Sequence, residues 1–157
     1  MKVAVVHAGE EDFGIEVERV IEILKTQRVH LLPHLPPFLS GVVNVRGEVI
    51  ALIDLRRRFG IDPRPGKERV IVVRSDREKI GFLVDGVKEI IDLQPDEIIE
   101  PPSIFRGLKT EYLRGLGKKG GRIIILLNTE ALLSSEERIQ IEEATREVGH
   151  TDEKASR

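Results

Sequence analysis

The chain has 157 residues, one-third of them charged, and its 25 Lys and Arg against 27 Asp and Glu leave a formal net charge of −2. That near balance excludes a general electrostatic pull toward nucleic acid or an anionic membrane, so a polyanionic partner would need a local patch. There is no cysteine, which excludes disulfides, thiolate metal sites and a cysteine nucleophile and suits a reducing compartment.

Met1 to His7 is too short an apolar run for a signal peptide, and the longest aliphatic run, Ile123 to Leu127, is far too short to cross a bilayer. A soluble cytoplasmic protein without direct membrane insertion is expected. Val3 to His7 reads as a strand, and Phe13 to Val17 can pair back on it as a hairpin. Val17, Val20, Ile21 and Leu24 recur at helical spacing, with glutamates early and Lys25 late, so a short helix is predicted there. Val29, Leu31 and Leu32 suggest a strand, which Pro33, Pro36 and Pro37 end.

Gly41 to Arg46 and Glu48 to Leu55 read as a second hairpin closed at Arg46-Gly47, where glycine accepts the positive φ of a tight turn. One face, with Val43 and Val45, suits a core; the other carries Val42, Asn44 and Arg46, the composition of a contact surface. A helical turn is predicted at Arg56 to Gly60, and residues 62–66 form a Pro- and Gly-rich linker. Arg69 to Arg74, Lys79 to Asp85 and Val87 to Leu93 then repeat the opening pattern, and Gln94 to Ile99 begins like a short helix with Pro95 in its first turn. Ile104 to Tyr112 is irregular. Arg122 to Leu127 is a strand apolar on both faces, hence central and covered, and a further turn is predicted at Thr129 to Leu133. Ser135 with Glu136 and Glu137 would start a C-terminal helix, leaving His150 to Arg157 as a flexible tail.

The chain repeats itself. Phe13 to Ile23 returns 67 residues later as Ile80 to Ile90, and Gly41 to Asp54 matches Gly115 to Asn128 at an offset of 74. A duplicated module without a catalytic constellation in either copy points to a binding protein and not to an enzyme.

Candidate chemistry is sparse. Gly115, Gly117 and Gly120 have dinucleotide-loop spacing but precede a strand, so a structural turn is the better reading. His30 and His34 could share a helical face only without Pro33 between them, and no metal or other cofactor is expected. Asp54 and Asp85, at strand ends, read as caps or turn formers, and Asn128 stands in the place of Asp54 in the second copy. Arg56 to Arg58 reads as a solvated basic face. Val17, Val20 and Ile23 can be core or partner-binding residues.

Asn44-Val45-Arg46-Gly47-Glu48-Val49-Ile50-Ala51-Leu52-Ile53-Asp54-Leu55, preceded by Pro37 to Val43, closely resembles the segment that identifies the CheW family of bacterial chemotaxis coupling proteins. Gly81 to Val87 and Thr110 to Gly117 match it as well, in the right order, so the resemblance runs from about Val3 to Ser135. It implies a mainly β fold of two five-stranded SH3-like or OB-like barrels, with short helices and a C-terminal helix. The barrels would lie nominally at about 1–66 and 67–135, with strands that can be exchanged between them, followed by a helix and tail at 136–157. It also implies a non-enzymatic adaptor joining the cytoplasmic tip of methyl-accepting chemoreceptors to the regulatory domain of the histidine kinase CheA in membrane-associated arrays. Receptor contacts carry over to Val17, Val20, Glu22, Ile23, Arg46, Val84 and Val87, in a groove between the barrels. Asn44, Gly47 and Asp54 carry over as the structural turn of the signature, and the kinase contacts stay unassigned. The competing reading is an OB-like barrel that binds an oligonucleotide or small ligand, which the near-neutral charge and the lack of tryptophan disfavour.

Overall fold

The computed structural model describes residues 1–25, 28–31, 39–66, 68–75, 78–101, 112–133, 136–140, 142–143 and 146. The strand predicted at Val29 to Leu32 lies partly outside these residues, as do the irregular stretch up to Tyr112, the cap at Ser135 and the tail. The first half supplies β1 (Lys2–Ala8), β2 (Glu11–Glu16), β3 (Val20–Lys25), β4 (Leu39–Val45), β5 (Glu48–Asp54) and helix α1 (Leu55–Phe59). The second supplies β6 (Arg69–Ser75), β7 (Glu78–Val84), β8 (Gly86–Asp92), β9 (Ile98–Ile99), β10 (Leu113–Lys119) and β11 (Arg122–Leu127). Residues 136–140 are helical.

These strands form two sheets, in the orders β8-β1-β2-β11-β10-β9 and β3-β6-β7-β5-β4. The fold is mainly β, as expected, although the first sheet has a sixth, two-residue strand. Each sheet takes strands from both halves: the β1–β2 hairpin joins the sheet of β8 to β11, and the β6–β7 hairpin joins that of β3 to β5. A cut at the linker therefore does not coincide with the division into sheets. The two copies match in register as well as in order. β2 runs parallel to β11 with Phe13 opposite Ile125, and β7 runs parallel to β5 with the equivalent Ile80 opposite Ala51.

The alternation of side chains across a strand explains why so many strands are apolar throughout. Val70 and Val72 of β6 and Ile50 and Leu52 of β5 pack inside the second sheet with Val43, Val45 and Leu24. Val3 and Val5 of β1 and Ile124 and Leu126 of β11 do the same inside the first. The intervening residues, among them Val6, Ala51, Ile53, Ile71, Val73, Ile125 and Leu127, form a third and larger cluster that includes Phe13 and Phe82. This third core lies between the sheets. At about 25 cal/mol per Å² of apolar surface, covering both faces of these strands is the main favourable contribution to the fold.

Both signature hairpins close as predicted. Arg46 and Gly47 have φ of 52° and 83°, and their counterparts Gly120 and Gly121 have 56° and 76°. The Asn44 carboxamide oxygen accepts the Gly47 amide at 2.9 Å, which accounts for asparagine at the head of this turn. Asp54 caps α1 by accepting the Arg56 amide at 2.9 Å, while Asn128 accepts the Glu130 amide at 3.3 Å. The expected exchange of carboxylate for amide at two equivalent caps is thus observed.

Candidate functional site

The helix predicted over Val17 to Leu24 is not formed. Val17–Arg19 makes one 3-10 turn, and Val20–Lys25 continues as β3, paired antiparallel with β6. Apolar residues at 20, 21, 23 and 24 fit either period, and β-branching together with the waiting edge of β6 decides for the strand. The consequence for the site is direct. The strand is irregular at its start: a register shift between Val20 and Glu22 sets Val20 opposite Val73 and Ile23 opposite Ile71, so the two stay on one face and differ in burial instead. Val20 packs against the inter-sheet core, while Ile23 is 46% exposed and Ile21 37%. The sequence pattern gives Ile21 to the predicted helix and not to the contacts; the structure sets it at the register shift between Val20 and Glu22, exposed like Ile23.

Glu22 lies between these isoleucines, and Arg46 donates to both of its carboxylate oxygens, Nη1 to Oε1 at 2.8 Å and Nη2 to Oε2 at 2.6 Å. Bidentate geometry makes this a directional pair, and pairing with Glu22 raises the Arg46 pKa above its ordinary value. Because β3 and β4 end their sheet's pairing order on opposite sides, this pair brings the two ends together. A second link is made by His30, whose amide donates to the Val42 carbonyl at 2.8 Å and whose carbonyl accepts the Val42 amide at 3.0 Å. His30 therefore acts through its backbone, and among the described residues no group of His, Cys, Asp and Glu could hold a metal ion.

Val17 and Val84 flank the two points where the chain changes sheet, from β2 to β3 and from β7 to β8. Beside Val17 opens a pocket of about 420 Å³ lined by Met1, Lys2, Glu16 and Glu18. Burial, together with a hydrogen bond shared with Glu18, pushes the Glu16 carboxyl up, against the opposing pull of Arg114 at 2.8 Å. At the second crossover Val87 is partly exposed and packs on the inter-sheet core. Val84 has no exposed surface, and this corrects its assignment as a contact residue: it is core.

The basic run Arg56 to Arg58 is not a solvated face. Arg56 is 6% exposed and holds three carboxylates, Asp54 through Nε at 2.9 Å, Asp85 through Nη1 at 2.6 Å and Glu68 through Nη2 at 2.7 Å. The hydrogen bond with Asp54, helped by those with Asp85 and Glu68, pushes its pKa further up against the cost of burial. Asp85 also accepts the Gly9 amide at 2.6 Å and the Arg64 amide at 3.3 Å. Burial alone would raise the Asp85 carboxyl, but these amides and the guanidinium outweigh it, and the net shift is downward. Arg58 grips Glu137 through two hydrogen bonds of 2.9 and 2.7 Å and lies 4.9 Å over the Tyr112 ring. Only Arg57 of the three is exposed. Of the carboxylates around Arg56 only Asp54 is close in sequence; Glu68 and Asp85 come from further along the chain, so nothing local announces the cluster.

The described aromatic side chains are committed to packing. Phe13 and Phe59 stand 4.9 Å apart, Phe59 and Tyr112 meet edge-on at 6.1 Å, and Phe82 is fully buried. Among the described residues no helix is long and apolar enough to cross a membrane.

Comparison with known proteins gives this surface a context. The family description of the CheW-like domain matches residues 2–137. The chain is 39% identical over 131 residues to the chemotaxis protein CheW of Klebsiella aerogenes, covering 82% of this chain and 79% of that protein. It is 30% identical over 135 residues to the chemotaxis protein CheW of Treponema pallidum, again with 82% and 79% covered. In structure it is similar to the scaffolding protein TtCheW from Thermoanaerobacter tengcongensis, with a TM-score of 0.80, 31% identity, and coverage of 87% of this chain and 89% of that one.

Proposed function

The chain belongs to the family of CheW-like domains, and from that premise we propose that it is a non-catalytic chemotaxis adaptor joining the cytoplasmic tips of methyl-accepting chemoreceptors to the regulatory domain of the histidine kinase CheA. It works in the cytoplasm, held at membrane receptor arrays through these partners, and needs no cofactor.

The observation that carries the receptor contact is the row on β3: Ile21 and Ile23 face outward on either side of Glu22, whose carboxylate is gripped by Arg46. Exposed isoleucines on an edge strand suit the apolar anchors of a partner helix, and a rim ion pair suits its register. Val17, Val20 and Val87 extend the surface along the crossovers. Asn44 and Gly47 hold the turn that presents Arg46 and act on the partner only through it, while Asp54 caps α1 at the far end of β5.

Co-elution tests the reading. This chain, a CheA regulatory domain and a receptor-tip fragment should migrate together and in each adaptor-containing pair. Failure to bind either partner sinks the adaptor reading.

A further inference from the structure

The ion pairs that cross between the two halves of the chain carry information that the duplication itself lacks. On β2, Asp12 meets Lys88 Nζ at 2.7 Å and Arg122 Nη2 at 3.3 Å, both from the second half. At the equivalent place in the other sheet, Lys79 of β7 meets Glu48 of β5 at 2.9 Å. Asp12 and Lys79 are equivalent at the offset of 67, and Glu48 and Arg122 at 74. The same contact is therefore made twice with its signs reversed.

The two copies offer another way to assemble. Because the hairpins β1–β2 and β6–β7 are equivalent, each could stay with its own half, placing Phe13 opposite Ala51 and Ile80 opposite Ile125. The parallel registers of the two sheets are the same, so the backbone distinguishes little between the arrangements. The charges do distinguish them. In the unexchanged arrangement Asp12 would face Glu48, and Lys79 would face Arg122 and Lys88, each a meeting of like charges. Glu16, which is 2.8 Å from Arg114 across the halves, would face Ser40 instead, and Arg114 would face Leu83.

We propose that this reversal of charge selects the strand-exchanged pairing over the unexchanged one. An exposed or half-buried ion pair shifts an equilibrium about two- to fivefold, and like charges directly opposed shift it comparably the other way. Four such contacts acting together give a preference on the order of a hundredfold. The device is independent of any partner and goes beyond the adaptor role.

Interstrand nuclear Overhauser contacts read the pairing directly. The unsubstituted protein should show Phe13 against Ile125 and Ile80 against Ala51. In the variant Asp12→Lys/Lys79→Asp every exchanged contact at these positions becomes repulsive and every unexchanged one attractive, so contacts of Phe13 with Ala51 should become the major set. A folded variant that keeps Phe13 against Ile125 alone would overturn the proposal. Should that variant not fold, Asp12→Lys/Arg122→Asp decides, because positions 12, 48, 79 and 122 then find opposite charges in both arrangements. Two coexisting sets of contacts are expected, and a single exchanged set refutes the selection.

Discussion

Glu22 lies on β3 and Arg46 in the turn after β4, the strand at the other end of the same sheet's pairing order, yet their side chains meet through two hydrogen bonds of 2.8 and 2.6 Å. The pair is a clasp on a rolled sheet, and it stands between the two exposed isoleucines of the proposed receptor surface.

Replacing Arg46 by Glu should weaken binding of a receptor-tip fragment about tenfold or more while leaving the thermal midpoint nearly unchanged, since exposed charges act mainly on steering and register. Isothermal titration and a melting curve check the two halves of that statement. The double reversal Glu22→Arg/Arg46→Glu restores the clasp with opposite polarity. Recovery of affinity would assign the effect to the clasp, and continued weakness would assign it to the charges that the receptor meets.

Ile23 and Val84 separate contact from core. Ile23→Ala removes exposed apolar surface and should reduce receptor affinity severalfold with little effect on stability. Val84→Ala opens space in the inter-sheet core, at a cost of about 2 kcal/mol, and should leave affinity unchanged while the protein remains folded. Urea midpoints beside binding constants test both, and the opposite assignment of effects would return Val84 to the surface.

Asp85 gives the fold a defined response to acid. Its folded-state pKa is depressed below the ordinary 3.8, so its contribution is present above that value and is lost as the pH falls through the folded value. Removing its charge with Asp85→Asn should cost about 2–3 kcal/mol at pH 7, because Arg56 stays buried with one carboxylate fewer. The variant's stability should also vary less between pH 5 and pH 2. Urea unfolding across that range provides the check, and parallel curves for the two proteins would exclude Asp85 as the source.

Two glycines of one hairpin should differ in what they tolerate. A Cβ on Gly41 would lie 2.6 Å from the His30 carbonyl oxygen, on backbone at φ 150°, whereas one on Gly47 would meet nothing within 4 Å at φ 83°. Gly41→Ala should therefore destabilise by about 2–3 kcal/mol through the lost bridge to Val42, and Gly47→Ala by about 1 kcal/mol through backbone strain alone. Gly115, whose Cβ would meet the Ile99 carbonyl oxygen at 2.9 Å, should behave like Gly41. Equal effects at 41 and 47 would show that space around Gly41 is not the constraint.

Much of this was legible in the residues. Duplication, the hairpins closed at Arg46-Gly47 and Gly120-Gly121, the Asp54 and Asn128 caps and the central place of Arg122 to Leu127 follow from turn chemistry and apolar period, which are local. Val20 to Lys25 misleads because its apolar positions satisfy a helix and a strand equally, and the edge of β6 that decides is about 50 residues away. Arg56 misleads for a related reason: a cation among cations looks solvated until Glu68 and Asp85 are folded against it. Which hairpin joins which sheet is hidden by the duplication itself, since equivalent strands carry the same apolar pattern and differ chiefly in the sign of a few charges.

The two crossovers build each sheet from both halves of the chain. Pulling the β1–β2 hairpin away would strip β8 and β11 of a neighbour in one sheet and open the core shared with the other. Residues 62–66, although exposed, are therefore not a hinge between independent bodies. A protease that cuts there should leave a nicked molecule whose pieces hold each other, whereas a fragment made alone would have only the unexchanged pairing open to it, with like charges opposed. What was copied was half of the chain; what folds is the whole of it.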